Sequence, residues 1–397
     1  MITVSEAQAR CLALVRALPT ETLALTDAAG RVLAADVRAG RAQPPFAASA
    51  MDGYALRSAD CRPGATLRVV GEAAAGHGWP GTVHAGEAVR IFTGAPVPQG
   101  GDRVVIQEDV SRISTQITLG DALDDNANIR PQGADFASDF TLRAPRRLGP
   151  ADLALLAAMN AGHVTVTRKP VVAIIATGDE LVMPGEDPRP DQIIASNLFA
   201  LKAMIAAAGG QARILPIARD NAASLATVYE MAMGADLIVT IGGASVGDHD
   251  IVAQVAATFG LEQSFYKIAM RPGKPLIAGA FGDGTPYLGL PGNPVSAIVC
   301  GHLFLLPMLR AMLGLGDVLP ATLGARLTDA LPGNGPRDHY MRAHLAETVD
   351  GRQVTAFDRQ DSSLLTVLSE ANALLIRPAG AGPAAAGDWV AVLPLAP

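Results

Sequence analysis

The sequence predicts an α/β plus β protein: a doubly wound α/β domain flanked by an N-terminal β domain and a C-terminal β-barrel domain. The chain has 397 residues, which is too long for one ordinary core and favours several domains. Residues 169–316 alternate buried-strand runs with helical segments, a rhythm typical of a mostly parallel sheet with helices on both faces. The segments on either side contain short apolar runs separated by glycine and proline, which indicates β domains.

Composition narrows the functional class. Hydrophobic residues make up 49% and charged residues 17%, which predicts a packed globular protein and argues against disorder. The net charge of −7 provides no basic field for nucleic acid or an anionic membrane, so neither is expected as a partner. The three cysteines are far apart in the sequence, which does not suggest a disulfide framework. No secretory leader is evident. The apolar stretch 295–309 is shorter than the roughly 20 residues that a membrane span needs. We expect a cytoplasmic enzyme with reduced thiols.

The N-terminal part is predicted as a helical linker region, 1–40 with 137–168, and a β-rich domain, 41–136. The first helix follows a Ser5 cap and ends by Pro19, because apolar residues recur there at helical spacing. A second helix covers 149–162 and begins through Pro150.

The α/β domain is predicted over 169–316 and a C-terminal β-barrel domain over 317–397, with a sandwich as the alternative for the latter. Strands are expected at VVAIIAT, ARILPIA, DLIVTIGG, SFYKIAM, LIAGAF and YLGLPG, and helices at SNLFALKAMIAAAGG, NAASLATVYEMAMG (capped by Asn221), IVAQVAATFG and NPVSAIVCGHLFLLPMLRAMLG. Beyond them lie short strand runs, ATLGARL, HYMRAHLAE, QVTAFD, NALLIRP and DWVAVLPL.

Four polar loops follow strands of the α/β domain: ATGDEL, IGGASVGDHD, MRPGKP and LPGNPVSA. Because ligands of open α/β sheets bind outside the carboxyl ends of the strands, four such loops at one edge suggest a site. In the last loop, Asn293 is a good N-cap and Pro294 suits the first helical position, which would leave N–H groups for an anion. The alternative is a plain strand-to-helix turn.

The other loops carry opposite charges. Lys267, Arg271 and Lys274 lie within eight residues, which favours an oxyanion or phosphate, although a solvated charge cluster is the alternative. Glu180 and Asp250 lie in loops beside them, and carboxylates next to a phosphate site hold a divalent cation. Alternatively, Asp250 caps the next helix and Glu180 is an exposed loop residue.

Seven segments in this order resemble the MoeA and gephyrin E-domain family over essentially the whole chain: AASAMDGYA, IFTGAPVPQGGDRVV, NIRPQGAD, TGDEL, GGASVGDHD, KIAMRPGKP and GLPGNPVSA. The resemblance implies a molybdopterin molybdenumtransferase, which inserts molybdate into adenylylated molybdopterin and releases AMP with the help of Mg²⁺ or Zn²⁺. It also implies a homodimer whose cleft lies between the α/β domain of one subunit and the β domain of the other. The molybdopterin adenylyltransferase and molybdoenzyme acceptors are the protein partners that follow from it.

The resemblance also implies the site residues. The acidic, catalytic set is Asp52, Asp135, Glu180, Asp220 and Asp250. Of these, Glu180, Asp220 and Asp250 are the expected metal ligands. The substrate-binding set is Thr93, Arg130, Gly242, Gly243, Ser245, Lys267, Arg271, Lys274, Pro291, Gly292, Asn293, Pro294, Arg342 and Ser362.

Two other functions remain open from the sequence. The adenylyltransferase that makes the activated substrate shares the α/β domain, but we expect TGGTG-like glycines after its third strand, whereas this chain has IGGAS. A gephyrin-type E domain that acts as a peptide-binding scaffold without catalysis is the second alternative.

Overall fold

The central sheet carries most of the candidate residues and has six strands. In the computed structural model, which describes residues 1–243 and 251–395, their order across the sheet is Gln211–Ile214, Val171–Ala176, Leu237–Ile241, Pro286–Leu290, Ile277–Ala280 and Glu262–Tyr266. The first four run parallel to one another, and Ile277–Ala280 pairs antiparallel with both of its neighbours, so the predicted mostly parallel sheet is confirmed.

Helices cover both faces of this sheet, as the doubly wound prediction requires. In the strand Val171–Ala176, Val172 and Ile174 pack into one core cluster, while Ala173 and Ile175 pack into another. Successive side chains of a strand point to opposite faces, so a run that is apolar throughout must be covered on both. The covering helices are Asn197–Ala207, Ala222–Ala232, Ile251–Thr258 and the long helix that begins at Pro294.

The long helix differs from the uniform helix that was predicted. It consists of α-helix Pro294–Cys300, a π-helical turn Gly301–Leu305 and α-helix Leu306–Met312. Pro307 has no N–H to donate to the carbonyl of Leu303, and the Gln8 side chain donates to that carbonyl instead, at 3.1 Å. The whole helix is long and apolar enough to cross a membrane by length and composition, which the sequence analysis did not anticipate, but it is 72% buried inside the protein.

The N-terminal region contains two helices and a sheet. The first helix is Val4–Ala13, capped by Thr3 rather than Ser5 because the Thr3 hydroxyl accepts from the Glu6 N–H at 3.1 Å. The second is Pro150–Ala158. The region predicted as a helical linker also holds a four-stranded sheet, in the order Thr20–Ala24, His163–Thr167, Val32–Leu33 and Arg146–Arg147. Its pairs join residues more than 100 positions apart, which a local pattern does not reveal.

The β-rich segment forms a second six-stranded sheet. Its order is Arg103–Ile106, Gly53–Leu56, Glu87–Ile91, Thr66–Ala73, Gln116–Leu119 and Val110–Ile113. Two small antiparallel pairs lie beside it, Ala48–Ser49 with Ile129–Arg130 and Val37–Arg38 with Thr141–Leu142.

The C-terminal strands close into a five-stranded barrel, which decides between the predicted barrel and the sandwich. They are Leu323–Leu327, Asp338–Thr348, Gly351–Ala356, Ala373–Arg377 and Trp389–Pro394. Closure follows because Asp338–Thr348 pairs with Gly351–Ala356 on one edge and Ala373–Arg377 on the other. Met270–Arg271 lies in the loop 267–274, which carries Lys267, Arg271 and Lys274 and which we call the positive loop; it pairs in parallel with this long strand and joins the barrel to the central domain. A short helix, Leu365–Glu370, was not predicted.

Candidate functional site

A cleft of about 1000 Å³ lies at the carboxyl ends of the parallel strands of the central sheet. We call it the cleft. It brings together eight of the sequence-predicted site residues: Glu180, Asp220, Gly242, Gly243, Pro291, Gly292, Asn293 and Pro294. These residues come from four separate loops, and parallel strands deliver such loops to a single edge of the sheet.

The two glycines after the strand Leu237–Ile241 let neighbouring loops pack closely. Both have left-handed backbones, with φ of +93° at Gly242 and +65° at Gly243. A Cβ on Gly242 would come within 2.8 Å of the Thr177 carbonyl, and one on Gly243 within 2.2 Å of Val252 Cγ2. The requirement for glycine here therefore comes from protein packing at the floor of the cleft, a cause that the sequence alone did not suggest.

The carboxylates of Glu180 and Asp220 are held on loops that an arginine fastens together. Arg219 Nη1 donates to the carbonyls of Asp179 and Leu181 at 3.1 and 3.2 Å, and the Asp179 side chain accepts from the Asp220 N–H at 3.1 Å. Sequence reasoning missed Arg219. Its position directly before Asp220 was the available signal, but its partners are 38 and 40 residues away in the chain.

Both carboxylates are exposed in the cleft, and within residues 1–243 and 251–395 neither forms an ion pair or accepts a hydrogen bond. The Glu180 carboxylate lies against Gly178, where a Cβ would come within 2.5 Å of Oε2. Free carboxylate oxygens beside a cleft suit Mg²⁺, which takes one or two protein carboxylates together with substrate phosphates. No group of three potential ligands occurs in the described part of the chain. Asp250 and Ser245 fall outside the described residues.

The helix that starts at Pro294 is capped from a distant segment. Asn293 occupies the N-cap position, as predicted, but its side chain makes no cap hydrogen bond; its Nδ2 donates to the Ser362 hydroxyl at 3.0 Å. The Val295 N–H donates to the Ser362 carbonyl at 3.1 Å. Since Pro294 has no N–H, the first turn offers fewer free donors to an anion than the sequence suggested. Ser362 therefore contacts Asn293, which lines the cleft, and the next residue, Ser363, also lines the cleft.

Asn197 joins the two sides of the cleft. Its Nδ2 donates to the Gly292 carbonyl at 2.7 Å, and its buried Oδ1 has no partner among the residues the structure describes. Asn197 was not among the predicted site residues. The structure shows no side-chain cap at that helix start.

Arg342 is the largest fully buried side chain in the described structure. Its Nη2 donates to the carbonyls of Asp361 and Arg359 at 2.9 and 3.3 Å, while Nε and Nη1 are buried without a described partner. Burial lowers the pKa of this guanidinium, the Asp361 carboxylate opposes the shift, and Arg271 adds to it. Nε and Nη1 are both closed off from solvent, and Arg342 is not among the described lining residues of the cleft.

The positive loop connects the barrel to the cleft, but its charged side chains do not line the cleft. Pro275 lines the cleft, whereas Lys267, Arg271 and Lys274 are not among its described lining residues. Arg271 and Lys274 are exposed, and the Lys267 ammonium lies over the Tyr266 ring at 4.9 Å.

His339 is the register partner of Arg271 where the positive loop joins the barrel. It is 9% exposed, and its Nε2 has no described partner. Burial, followed by the charges of Arg271, Arg342 and Arg337, lowers the pKa of His339 to about 4, so this imidazole is neutral at pH 7.

The predicted β-domain residues gather in a second place, which we call the β-domain cluster. Asp52 Oδ1 accepts from the Thr93 N–H and hydroxyl, both at 2.7 Å, and these bonds, aided by Arg90, hold the pKa of Asp52 below its usual value. Arg130 pairs with Ala48 on a neighbouring strand. Asp135 is exposed on the loop that follows. Among the described lining residues of the cleft, none comes from this cluster.

Arg90 organises the β-domain cluster, and sequence reasoning missed it. Its Nη1 donates to the Gly53 carbonyl at 3.1 Å and its Nη2 to Gln107 Oε1 at 2.5 Å. Its guanidinium also lies 5.1 Å from the Tyr54 ring centre and 4.7 Å from that of Phe92.

Three family models match successive parts of the chain: the MoeA N-terminal region (domain I and II) over residues 2–160, a probable molybdopterin binding domain over 173–311, and the MoeA C-terminal region (domain IV) over 324–395. A molybdopterin molybdenumtransferase of Nostoc sp. is 36% identical over 95% of this chain and 89% of its own length. One from Haemophilus influenzae is 33% identical over 99% and 98%. The solved structure of a molybdopterin biosynthesis moeA protein from Pyrococcus horikoshii is similar over 100% of both chains, at 26% identity and a TM-score of 0.85.

Proposed function

Since this chain belongs to the MoeA family, we propose that it is a molybdopterin molybdenumtransferase, an enzyme of molybdenum cofactor biosynthesis that inserts molybdate. The observation that carries the proposal is the cleft at the strand ends, with the free carboxylates of Glu180 and Asp220 beside glycine- and proline-rich loops. The two alternatives are not favoured, because relatives named molybdenumtransferases match nearly the full chain, including the segments on both sides of the central domain.

In the proposed reaction, water attacks the phosphoanhydride of adenylylated molybdopterin, the P–O bond to the adenylate breaks, and AMP leaves. Molybdate is bound before this cleavage, so AMP release depends on it. Its molybdenum takes up the two dithiolene sulfurs of molybdopterin, and one molybdate oxygen leaves as water with the two thiol protons. Cleavage of an anhydride depends on positioning and charge neutralisation more than on a protein nucleophile. We assign one carboxylate, Glu180 or Asp220, to orienting the water.

Glu180 and Asp220 would hold Mg²⁺, or Zn²⁺, with Asp250 as the expected third ligand. When bound, the ion neutralises charge on the anhydride. The role of Arg219 is to keep the two loops together, so that both carboxylates face the same part of the cleft.

The loop that carries Lys267, Arg271 and Lys274 is the proposed anchor for molybdate, a tetrahedral dianion. Arg271 and Lys274 are exposed there, and Lys267 lies in the same loop. Arg342 is fully buried and adds positive charge next to Arg271 rather than a direct contact.

We also propose that the enzyme works as a homodimer, in which the β-domain cluster of one copy faces the cleft of the other. The exposed apolar residues Ile193 and Ile194, at 59% and 38%, line the cleft and provide a surface that a second copy would cover. In this arrangement Asp52, Thr93, Arg130 and Asp135 would complete the site. The cytoplasmic location stays a prediction.

Reconstitution tests the proposal directly. Purified protein is mixed with adenylylated molybdopterin and molybdate, and AMP release is followed with and without Mg²⁺. We expect release that depends on molybdate and is faster with Mg²⁺. A protein that gives no molybdate-stimulated AMP release in any metal would rule the function out.

A further inference from the structure

The barrel wall has a local gap at Arg342. The strand Gly351–Ala356 pairs with the long barrel strand only from Ala343 onward, and the short strand Met270–Arg271 pairs with it only up to His339. The backbone groups of Arg342 lie between the two, and its carbonyl accepts from the Phe357 N–H at 3.1 Å. An unpaired backbone N–H in a buried wall is costly, so the Arg342 N–H needs an acceptor.

The side chain of Gln360 fills this gap. Its Oε1 accepts from the Arg342 N–H at 3.0 Å, and its Nε2 donates to the Arg342 carbonyl at 2.9 Å. The same Nε2 donates to the Phe357 carbonyl at 2.7 Å. A carboxamide has the donor and acceptor of a peptide group, so Gln360 bonds the Arg342 backbone just beyond the end of the strand Gly351–Ala356, together with the Phe357 N–H.

These bonds fasten the segment 357–363, which we call the serine loop. Arg342 holds the same loop from its other side through the carbonyls of Arg359 and Asp361. The loop then crosses to the cleft, where Ser362 bonds Asn293 and Val295 and where Ser363 forms part of the lining.

We propose that Gln360 is a positioning residue for the transfer reaction, which acts by holding the serine loop so that Ser362 stays bonded to the start of the helix at Pro294. The proposal rests on the proposed function for its catalytic consequence. Its structural part concerns only the coupling between Gln360 and Ser362.

The first test needs no activity. Backbone hydrogen exchange is measured by mass spectrometry on the full chain, in a peptide that contains Val295. In Gln360→Met the loop loses three hydrogen bonds, so the Val295 N–H should exchange at least about fivefold faster. The matched control is Asn372→Leu, which removes a carboxamide that bonds the Leu345 N–H and carbonyl of the same long barrel strand. Unchanged Val295 exchange in Gln360→Met would overturn the proposal.

The second test is a double-mutant cycle on AMP release with Gln360→Glu and Ser362→Ala. Glu keeps an acceptor for the Arg342 N–H but cannot donate to the two carbonyls, and we expect kcat/KM to fall about tenfold or more. If Gln360 acts through Ser362, the double variant should lie within about twofold of the poorer single variant.

Losses that multiply in the double variant would mean that Gln360 supports the barrel only and would overturn the proposal. So would a Gln360→Glu enzyme as active as the matched control Asn372→Asp. Failure of the wild-type protein to release AMP would count against the proposed function instead, and the exchange test would still decide the coupling.

Discussion

The acidic residues of the cleft and those of the β-domain cluster differ in whether other protein groups bond their carboxylates. In the cleft, Glu180 and Asp220 are exposed and have no ion pair or hydrogen-bond partner in the described structure, beside a cavity of about 1000 Å³. In the β-domain cluster, Asp52 is bonded twice to Thr93, and Arg90 fastens the strands around it.

The difference indicates which charges are available to a ligand. A carboxylate without protein partners can bind a cation or a substrate at little cost, whereas Asp52 Oδ1 is already occupied and serves to shape its turn. The carboxylates of the cleft are therefore free before a ligand binds, whereas Asp52 is held in a fixed position by the protein. Four substitutions test this contrast.

Glu180→Gln should have the largest effect, because it removes a charge from the cleft without breaking a described contact. We expect kcat/KM for AMP release to fall about 100-fold or more, with the free energy of unfolding changed by less than about 0.5 kcal/mol. The control is Glu230→Gln, on an exposed helix position outside the cleft. Full activity in Glu180→Gln would contradict the role given to this carboxylate.

Gly243→Ala tests the packing at the cleft floor. Its Cβ would meet Val252 at 2.2 Å on a left-handed backbone, so we expect a loss of about 3 kcal/mol in unfolding free energy. Gly185 has a similar backbone, with φ of +93°, but open space around it, and Gly185→Ala should cost only about 1 kcal/mol. Equal losses in denaturant titrations would show that close packing is not the reason for glycine at this position.

Arg90→Met tests the internal bonding of the β-domain cluster. It removes two hydrogen bonds and two ring contacts, and we expect a loss of about 2 kcal/mol in unfolding free energy. Arg68 lies in the same sheet and pairs with Glu87 at the surface, so Arg68→Met should cost less than about 1 kcal/mol. A neutral Arg90→Met would remove the distinction between the two regions.

His339 gives the smallest expected effect, a pH dependence beside the positive loop. Its pKa is lowered to about 4 in the folded protein from 6.5, so the unfolded chain takes up the proton first as the pH falls. Stability should therefore drop by about 1 kcal/mol between pH 6.5 and about 5.5, and continue to fall until the folded pKa is reached. Subtracting the curve of His339→Gln from that of the wild type isolates this contribution, and parallel curves would contradict it.

Much of this fold follows from local patterns. The run VVAIIAT is apolar throughout and therefore predicts a strand covered on both faces, and Asn221 caps its helix as predicted, accepting from the Ser224 N–H at 2.9 Å. The four-stranded sheet near the N-terminus was missed because its short strands pair across more than 100 residues.

The residues that hold the site together were not predictable in the same way. Arg219, Arg90 and Gln360 bond backbone carbonyls far away in the chain, and nothing in their own sequence surroundings identifies those partners. Asn293 shows the converse. It occupies the N-cap position before Pro294, but its side chain bonds Ser362, a residue 69 positions away in the chain, rather than the helix.

By itself the sequence determined the alternation of strands and helices, the edge of the sheet where ligands bind, and the family motifs with the charged residues they carry. These depend on hydrophobic periodicity and on residue type, which are local properties of the chain. Only the tertiary structure decided which of those charges remain free, that the C-terminal strands close into a barrel, and that Ser362 reaches the cleft. Those outcomes depend on hydrogen bonds between distant segments, and such bonds form only where the fold brings their donors and acceptors within about 3 Å of each other.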